Sequence, residues 1–402
     1  MSKAPLDSIS GKQRRVARFD EFLRRVERKF TIDDSVVYSC VGVRGHGIGA
    51  FVRERLLGMS IARKKQWIIR SGDVVYNKLF AWRGSFAIAD ESVDGCIVSD
   101  KFPTYTIEKC SIDPRFLGFY FRTPEIAQQA LRLSKGSAAI SKLTLNPPEF
   151  WDLTIPMPPL EEQQRIVMRI EELAARIERA RLLRHQTLEE TGRLLIAMAH
   201  RDDLDLQSKL QVGWRQVAIG DLVKLVDEQE IVKPSSSYPN LGIYSFGRGI
   251  FAKPPIDGMM TSAKSLRRVR AGQFIYSRLF AFEGAYAIVP SEFDGFYVSG
   301  EYPTFACDRE RVTPEFLWAY FKSPRVWKVL AAESKGLGDR RQRVQPAKIL
   351  SHRIVVPPLE WQHRIALMQS KVEALRHLQT RTVDELNALL PSILDKAFKG
   401  DL

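Results

Sequence analysis

Four basic side chains in the first half of the chain have a basic counterpart 200 residues later in the second half. The pairs are Lys64 and Lys264, Arg70 and Arg270, Lys78 and Arg278, and Lys135 and Lys335. Charges that persist while neighbouring residues diverge suit an anion that does not vary, such as a nucleic acid phosphate. A solvated surface is the alternative for any one position. Further basic residues follow the last pair and are expected to bind nucleic acid as well: Lys142, Arg340, Arg341 and Arg343.

Other positions change chemical character between the two halves. Trp82-Arg83 stands where the second half has Phe282-Glu283, and segment 137–141 differs from segment 337–341. Side chains that read different base sequences must differ in this way. We therefore expect Arg83 and Arg341 to contact bases and the conserved charges to contact phosphates.

Two glycine-rich loops, at 45–49 and 247–249, are candidates for phosphate cradles. Neither has the spacing of a dinucleotide-binding fingerprint, and no Lys-Ser or Lys-Thr pair follows as in a P-loop. We interpret both as turns whose backbone needs a positive φ. A close approach of this backbone to a phosphodiester remains open.

Little in the sequence indicates catalysis. Asn146-Pro147-Pro148 resembles part of the motif with which amino methyltransferases bind a flipped base, but Glu149 separates the prolines from the aromatic Phe150. We interpret this segment as a bend, with a base-modifying methyltransferase as the alternative. The histidines have no metal-ligand spacing, and no Ser or Cys lies in a nucleophile motif. No catalytic residue, metal or cofactor is expected.

The elements that position these residues come from one module written twice, because residues 38–136 recur at 238–336. Short runs rich in β-branched and aromatic residues, such as 74–76 and 86–88, are bounded by Gly or Asp and predict strands. Helices should follow at 114–121 and 124–133 and again at 314–321 and 324–332, since each begins with Pro and continues with apolar residues at helical spacing. Each half is therefore predicted to be an α+β domain.

A long helix should follow each module. The stretch from Leu160 to about His200 lacks Pro and has an apolar stripe, and a similar stretch follows Pro357-Pro358. Helices of about 40 residues span roughly 60 Å, and each stripe needs a partner. Pro391 should kink or end the second helix near Leu390. The acidic segment 201–213 is the expected linker.

Composition limits the partner and the compartment. A chain of 402 residues with 45% hydrophobic content can form two ordinary domains, and its net charge of +14 favours a polyanion, either nucleic acid or an acidic membrane surface. There is no run of about 18 apolar residues and no signal-peptide core. The four cysteines lack close pairs, so reduced thiols and a cytoplasmic location are expected.

Two modules, each followed by a helix that opens with Pro-Pro-Leu-Glu-x-x-Gln, resemble the specificity subunit of type I restriction-modification enzymes. The resemblance covers essentially the whole chain. It is carried by 158–166, by 357–365 and by the closing segment 396–402. Trp361 and His363 depart from the first copy, and His200 and Asp202 stand where the second copy has Phe398 and Gly400.

The resemblance implies a non-catalytic DNA-binding scaffold. Two target recognition domains (1–157 and 214–356) would each read half of a bipartite, asymmetric site, and two spacer helices (158–200 and 357–402) would pair as an antiparallel coiled coil. The partners would be double-stranded DNA, two methyltransferase subunits and restriction/translocase subunits. The methyl donor and ATP would bind to these partner subunits. An architectural protein without sequence preference is a further alternative. The residues assigned to partner docking are Pro159, Leu160, Glu161, Gln163, Arg165, Pro358, Leu359, Glu360, Gln362 and Arg364.

Overall fold

A computed structural model describes residues 15–108, 111–136, 143–332 and 343–402 of the chain. The chain divides into two compact units. Unit 1 comprises residues 1–182 and 382–402, and unit 2 comprises residues 183–381. Each unit therefore contains one copy of the module together with segments of the long helices.

Unit 1 is built mainly from short strands. They are β1 (Val16–Arg18), β2 (Leu23–Val26), β3 (Lys29–Thr31), β4 (Val37–Arg44), β5 (Gly49–Leu57), β6 (Lys65–Ile68), β7 (Val74–Tyr76), β8 (Phe86–Ile88), β9 (Ile97–Val98), β10 (Thr104–Ile107) and β11 (Thr154–Pro156). A five-stranded sheet has the order β3-β6-β9-β4-β5, a four-stranded sheet has the order β2-β10-β7-β8, and β1 pairs with β11.

The four-stranded sheet is buried on both faces. Successive side chains of a strand point to opposite faces, so Val75 of β7 packs with Val41 and Val43 of β4, whereas Val74 and Tyr76 face a second cluster that includes the helices. This double burial explains why β7 is a continuous apolar run. The predicted strands at 74–76 and 86–88 are confirmed.

Three short helices complete the module of unit 1: α1 (Pro114–Tyr120), α2 (Pro124–Leu133) and α3 (Pro147–Phe150). Each has Pro in its first turn, where the missing N–H costs no hydrogen bond. Asp113 caps α1 by accepting a hydrogen bond from the backbone N–H of Arg115 at 2.8 Å. The two predicted helices are confirmed, with α1 ending one residue early.

Unit 2 repeats this topology, with a five-stranded sheet, a four-stranded sheet and a strand pair. Its strands are β12 (Arg215–Ala218), β13 (Val223–Val226), β14 (Gln229–Ile231), β15 (Ser237–Ile243), β16 (Ile250–Asp257), β17 (Ser265–Arg268), β18 (Phe274–Tyr276), β19 (Tyr286–Ile288), β20 (Tyr297–Val298), β21 (Thr304–Cys307) and β22 (Arg353–Val356). Its module helices are α6 (Pro314–Phe321), α7 (Pro324–Ala332) and α8 (Pro346–Ser351), and a short helix, α5 (Leu206–Gln211), precedes β12.

The long helices are α4 (Leu160–His200), α9 (Leu359–Arg381) and α10 (Val383–Lys399). Of the two predicted effects of Pro391, the end of the helix near Leu390 is wrong, because α10 continues through Pro391 and the interruption lies at Thr382. A kink at Pro391 stays a prediction. Proline removes one hydrogen bond, but Leu390 and Leu394 on either side pack against the core of unit 1. That packing holds the helix together across Pro391.

In each unit, apolar residues of α4 pack with apolar residues of a C-terminal long helix. In unit 1, Ile166 and Ile170 of α4 share a core cluster with Leu394 of α10. In unit 2, Leu195 of α4 shares a cluster with Ile365 of α9. Polar contacts accompany the apolar ones, since Arg181 donates to the side-chain oxygen of Asn387 at 3.0 Å in unit 1 and Gln379 donates to the carbonyl of Arg184 at 3.4 Å in unit 2.

The predicted linker is partly helical. Helix α5 begins inside it because Asp205 accepts a hydrogen bond from the backbone N–H of Ser208 at 2.7 Å. One of the acidic residues of the expected linker, Asp205, is therefore a helix cap. None of the helices in the described ranges is long and apolar enough to cross a membrane.

Candidate nucleic-acid interface and helix junctions

The β4–β5 hairpin of unit 1 ends in hairpin tip 1, which we define as residues 45–48. Its backbone is fixed to the 3-10 turn Ala81–Arg83 and the residue after it. The N–H of His46 donates to the carbonyl of Arg83 at 2.9 Å, and the N–H of Gly47 donates to the carbonyl of Gly84 at 2.9 Å. Both amides are therefore occupied and are not free to cradle a phosphate. The interpretation of the glycine loop as a turn is confirmed.

Hairpin tip 2, residues 245–248 of unit 2, is held in the same way. The N–H groups of Phe246 and Gly247 donate to the carbonyls of Glu283 and Gly284 at 2.7 and 2.9 Å. Gly47 and Gly247 both have φ of 62°, and a Cβ at Gly47 would lie 2.4 Å from the carbonyl oxygen of Phe121. Glycine is therefore favoured at both positions by φ, and at Gly47 it is also required by space.

The residue before that glycine also has a positive φ, 57° at His46 and 64° at Phe246. A bulky residue rarely adopts this conformation, which costs of order 1–3 kcal/mol. Neither side chain is buried in compensation, since His46 is exposed and Phe246 is 62% exposed. Sequence reasoning did not single out these two residues, although the Gly-x-Gly context of His46 was a signal.

The predicted base contact Arg83 lies on the turn that holds hairpin tip 1. Arg83 is exposed, and its guanidinium lies 5.7 Å from the centre of the Trp82 ring. Its counterpart Glu283 instead accepts a hydrogen bond from the hydroxyl of Ser245 at 2.9 Å. The divergent pair thus lies beside the two hairpin tips, and Arg83 is available to a ligand.

The predicted phosphate contacts Lys64 and Arg70 are engaged in ion pairs. Lys64 pairs with Asp34 and donates to the carbonyl of Gly58 at 2.8 Å, whereas Lys264 is exposed. Arg70 pairs with Asp94 at 3.2 Å. Exposed pairs of this kind contribute about 0–1 kcal/mol, so a phosphate can replace the carboxylate.

Arg270 has a different partner, Glu228, and the reason lies in two neighbouring substitutions. In unit 1 the buried carboxylate of Asp73 needs a cation, which Arg28 supplies. In unit 2 the neutral Gln273 stands at the position of Asp73 and needs no counter-ion. Residue 228 can then be acidic and pair with Arg270.

The pair Lys78 and Arg278 is half-buried. The backbone of Lys78 is paired on both sides, with its N–H donating to Lys101 and its carbonyl accepting from Leu145, each at 3.0 Å. The guanidinium of Arg278 donates to the side-chain oxygen of Gln345 at 2.7 Å, and its buried Nε has no hydrogen-bond partner among the described residues. Arg278 is therefore a weaker candidate for a phosphate contact than exposed Arg270.

Two further predicted cations lie near carboxylates. Lys135 pairs with Glu149 at 2.5 Å, and this hydrogen bond holds the pKa of Glu149 below its usual value. Arg343 pairs with Glu301 at 3.2 Å. The remaining predicted DNA contacts lie outside the described residues: Lys142, Lys335, Arg340 and Arg341.

The segment that resembles a methyltransferase motif has a structural role. Asn146 precedes α3, and Phe150 is fully buried. The Phe150 ring stacks against both Tyr76 and Tyr105, with centroid distances of 4.6 and 4.2 Å. It cannot stack on a flipped base unless the core opens. Within the described residues, no group of His, Cys, Asp or Glu is arranged to hold a metal ion.

Comparison with known proteins identifies this module. Residues 48–185 match the family model described as "Type I restriction modification DNA specificity domain". Residues 48–185 therefore carry a type I restriction-modification specificity domain. No curated protein sequence matches it.

Two solved structures are similar along nearly the whole chain. The HsdS subunit from Thermoanaerobacter tengcongensis is 24% identical, with 98% of each chain covered and a TM-score of 0.58. A chain from a structure on complex assembly and conformational transition of the type I R-M system is 25% identical, with 96% of this chain and 98% of that chain covered and a TM-score of 0.61. The fold of this chain is therefore similar to that of the HsdS subunit along nearly the whole length of both chains.

The glutamine of each Pro-Pro-Leu-Glu-x-x-Gln motif is buried within its own unit. Gln163 accepts a hydrogen bond from the N–H of Asp113 at 2.9 Å and donates to the carbonyl of Pro158 at 2.9 Å. Gln362 makes the same contacts with Thr313 and Pro357, at 2.7 and 2.9 Å. Both side chains are fully buried. Their amides thus join each long helix to its own module, and their assignment to partner docking stays a prediction.

The other predicted docking residues are more accessible. Pro159, Leu160, Glu161 and Arg165 line a groove of 1820 Å³ in unit 1, which Val16, Phe398 and Lys399 also line. In unit 2, Glu360 and Arg364 are exposed and form an ion pair at 2.6 Å, while Pro358 and Leu359 are half-buried.

Trp361, which stands where the first copy has Glu162, packs against the end of α4. Its indole N–H donates to the carbonyl of Met198 at 2.9 Å, near the end of α4, and the guanidinium of Arg201 lies 5.1 Å from its ring centre. In unit 1, Glu162 instead pairs with Arg165 at 2.6 Å. The departure from the first copy is therefore explained by packing between α9 and α4.

The end of one long helix packs on the first module helix in each unit. In unit 1, the ring of Phe398 lies 4.9 Å from Phe116 and 5.1 Å from Tyr120. In unit 2, His200 stacks on Tyr320 at 4.6 Å. Nearby, burial lowers the pKa of Lys322 to about 8, and its ammonium lies 3.8 Å from the centre of the Trp318 ring.

Proposed function

We propose that this chain is a non-catalytic specificity subunit that recognises a bipartite, asymmetric DNA site. Each module would read one half of the site. The observation that carries this proposal is the pair of hairpin tips held on equivalent 3-10 turns, one in each unit, with different exposed side chains at matching positions. Equivalent backbones would thus present different side chains to the two half-site sequences.

The long helices would pair as an antiparallel coiled coil and set the spacing of the two half-sites. Contacts inside each unit support this pairing. In unit 1, Ile166 near the start of α4 shares a cluster with Leu394 and Phe398 near the end of α10, and Arg181 further along α4 contacts Asn387 earlier in α10. The order of contacts is therefore reversed between the helices.

The partners would be double-stranded DNA, methyltransferase subunits and restriction subunits. The groove that contains Pro159, Leu160 and Glu161 has the size and mixed polarity that suit a protein segment. Methyl donor and ATP would bind to those partners, so the chain would need no cofactor of its own. The expected site of action is the cytoplasm.

A domain exchange tests this proposal. Residues 1–157 would be replaced by the equivalent part of a related chain, and the methylated sequence would be mapped across the host genome before and after. One half-site should change while the other half-site and the spacer remain. A change in both halves, or in neither, would refute modular recognition.

Two outcomes would favour the alternatives. Equal affinity of the chain for all duplexes would indicate an architectural protein. Tight binding of a methyl donor by the chain without partners would indicate a methyltransferase, although the buried position of Phe150 argues against it.

A further inference from the structure

We infer that the two hairpin tips are the principal base-reading elements, with positions 46 and 48 determining specificity in unit 1 and positions 246 and 248 in unit 2. This inference rests on the proposed function and deepens it. It assigns particular side chains to sequence readout, and these are residues that the pattern of conserved charges does not reveal.

The first argument is the cost of the tip conformation. Phe246 has a φ of 64° and remains 62% exposed, so it bears backbone strain and gains little from burial. Glycine or asparagine would fit this backbone more easily. Folding alone therefore does not explain an aromatic residue here, whereas a contact made by its ring does.

The second argument is rigidity. Each tip is joined to the adjacent 3-10 turn by two backbone hydrogen bonds of 2.7 to 2.9 Å. In hairpin tip 2, the Phe246 ring also lies 6.2 Å from the ring of Trp327, which is buried. A rigid support keeps the entropy cost of ordering a contact residue low. Flexible surface loops lack this property.

The third argument is the chemistry at the exposed positions. In hairpin tip 2, Arg248 donates through Nε to the carbonyl of Ser245 at 3.0 Å, and its guanidinium lies 5.1 Å from the ring centre of Tyr244. Its terminal nitrogens make no hydrogen bond to another residue in the described ranges. A guanidinium held at Nε with a free outer edge can bind O6 and N7 of guanine.

Hairpin tip 1 presents different groups on the same backbone. His46 takes the place of Phe246, and Ile48, which is 59% exposed, takes the place of Arg248. An exposed isoleucine suits the methyl group of thymine, and an imidazole can hydrogen-bond to a base edge. The two tips should therefore prefer different bases.

Duplex DNA is the ligand that fits these observations. The major groove admits a two-stranded β-ribbon, so the β4–β5 and β15–β16 hairpins can enter it tip first. The net charge of +14 favours the approach of a polyanion. Arg83, on the turn that supports hairpin tip 1, would then lie close to the same groove.

The test is selection from a pool of random duplexes by the full chain, followed by sequencing and by affinity measurements on the selected duplex. Arg248→Ala and Phe246→Asn should each change the preferred bases in one half-site only and weaken binding of the original sequence about tenfold. His46→Phe combined with Ile48→Arg should change only the other half-site. Arg215→Ala, which removes an exposed arginine on β12 of the same unit, is the matched control and should leave the selected sequence unchanged.

Phe246→Asn separates readout from folding. Asparagine tolerates a positive φ, so the thermal midpoint of this variant should be equal to or higher than that of the unaltered chain while specific binding falls. A lower midpoint with unchanged base preference would show that Phe246 is structural and would overturn the inference.

The test distinguishes a failure of sequence recognition by the chain from a failure of the assignment to the hairpin tips. If the unaltered chain enriches no sequence, sequence recognition itself fails and the inference fails with it. If the unaltered chain enriches a split site and all tip variants select the same site, recognition stands and the assignment to the hairpin tips is wrong.

Discussion

The imidazole of His200 stacks on the ring of Tyr320 with centroids 4.6 Å apart and an interplanar angle of 22°. Its Nε2 lies 3.1 Å from the carbonyl oxygen of Tyr320. In unit 1 the equivalent contact is made by Phe398 on Tyr120. The repeat has thus conserved the packing of a helix end on the module but has placed a titratable ring in only one of these two contacts.

This difference predicts pH dependence in unit 2. Burial lowers the pKa of His200 below 6.5, against the opposing effects of the hydrogen bond to Tyr320 and of nearby Asp202. A histidine with a lower pKa in the folded chain binds a proton more readily when unfolded. The stability that its neutral form provides is therefore present above pH 6.5 and is lost as the pH falls below it.

Between pH 7.5 and 5, the free energy of unfolding measured in urea should fall less for His200→Phe than for the unaltered chain. The stability of this variant should still depend partly on pH, because burial also lowers the pKa of His352. The Nε2 of His352 lies 3.1 Å from the hydroxyl of Tyr320. His185→Phe, at an exposed position on α4, is the control. Identical pH profiles for His200→Phe and the unaltered chain would contradict the assignment.

The buried glutamines give a second prediction. Gln163→Ala would leave the N–H of Asp113 and the carbonyl of Pro158 without their partners, and each unsatisfied buried group costs about 1–3 kcal/mol. We expect denaturant titrations to give a free energy of unfolding that is lower by about 3 kcal/mol. Gln362→Ala should lower the free energy of unfolding by a similar amount through the same contacts in unit 2.

Neighbouring residues supply matched controls for both variants. Gln164→Ala and His363→Ala alter exposed positions on the same helices and should change stability by less than about 0.5 kcal/mol. A stable Gln163→Ala chain that fails to bind a methyltransferase subunit would instead favour the predicted docking role.

The position of Gln163 shows what the sequence pattern could and could not predict. The repeat and local spacing predicted β7, β8, α1 and the start of α4, because these depend on alternation, Pro positions and helix propensity. The burial of Gln163 depends on backbone groups of Asp113 and Pro158, which meet only in the folded unit. An amide in the first turn of a polar helix carries no local sign of that environment.

The hairpin tips illustrate the same limit. Glycines 47 and 247 predicted turns, and the structure has turns there. Whether His46 and Phe246 are exposed depends on the carbonyls of Arg83 and Glu283, which fix the tips from elsewhere in the chain. Likewise, the conserved charge at Arg70 and Arg270 was evident in the sequence, but their different carboxylate partners, Asp94 and Glu228, were not.

A third prediction separates phosphate contacts from base contacts. Neutralising Arg70, Arg270, Lys64 or Lys135 should weaken cognate and unrelated duplexes alike and lower the slope of log affinity against log salt by about one unit. Neutralising Arg83 should instead change which bases are tolerated, at about 1–3 kcal/mol for a lost base contact. Arg341 is expected to behave like Arg83.

The measurement is binding of cognate and singly substituted duplexes across a salt series. Arg193→Ala, which removes an exposed charge from α4, controls for net charge. Relaxed sequence preference in Lys135→Ala together with uniform loss of affinity in Arg83→Ala would reverse the assignment.

The last prediction concerns helix length. If α4 and the C-terminal helices form a rigid antiparallel pair, their length sets both the separation and the rotation of the two half-sites. Inserting four residues beside Glu178 adds about 6 Å, roughly one helical turn. Since base pairs are about 3.4 Å apart, the unspecified spacer should lengthen by about one or two base pairs while both half-sites stay the same.

The methylated sequence of a host that carries the insertion variant would reveal the new spacing. A matched insertion is needed in the partner helix to keep the apolar stripes in register, and the turn at Thr382 between α9 and α10 is a suitable place for it. An insertion in the segment 201–213, outside the long helices, serves as the control and should leave the spacing unchanged. If the host with the lengthened helices still methylates the original site with the original spacing, the helices do not set that spacing.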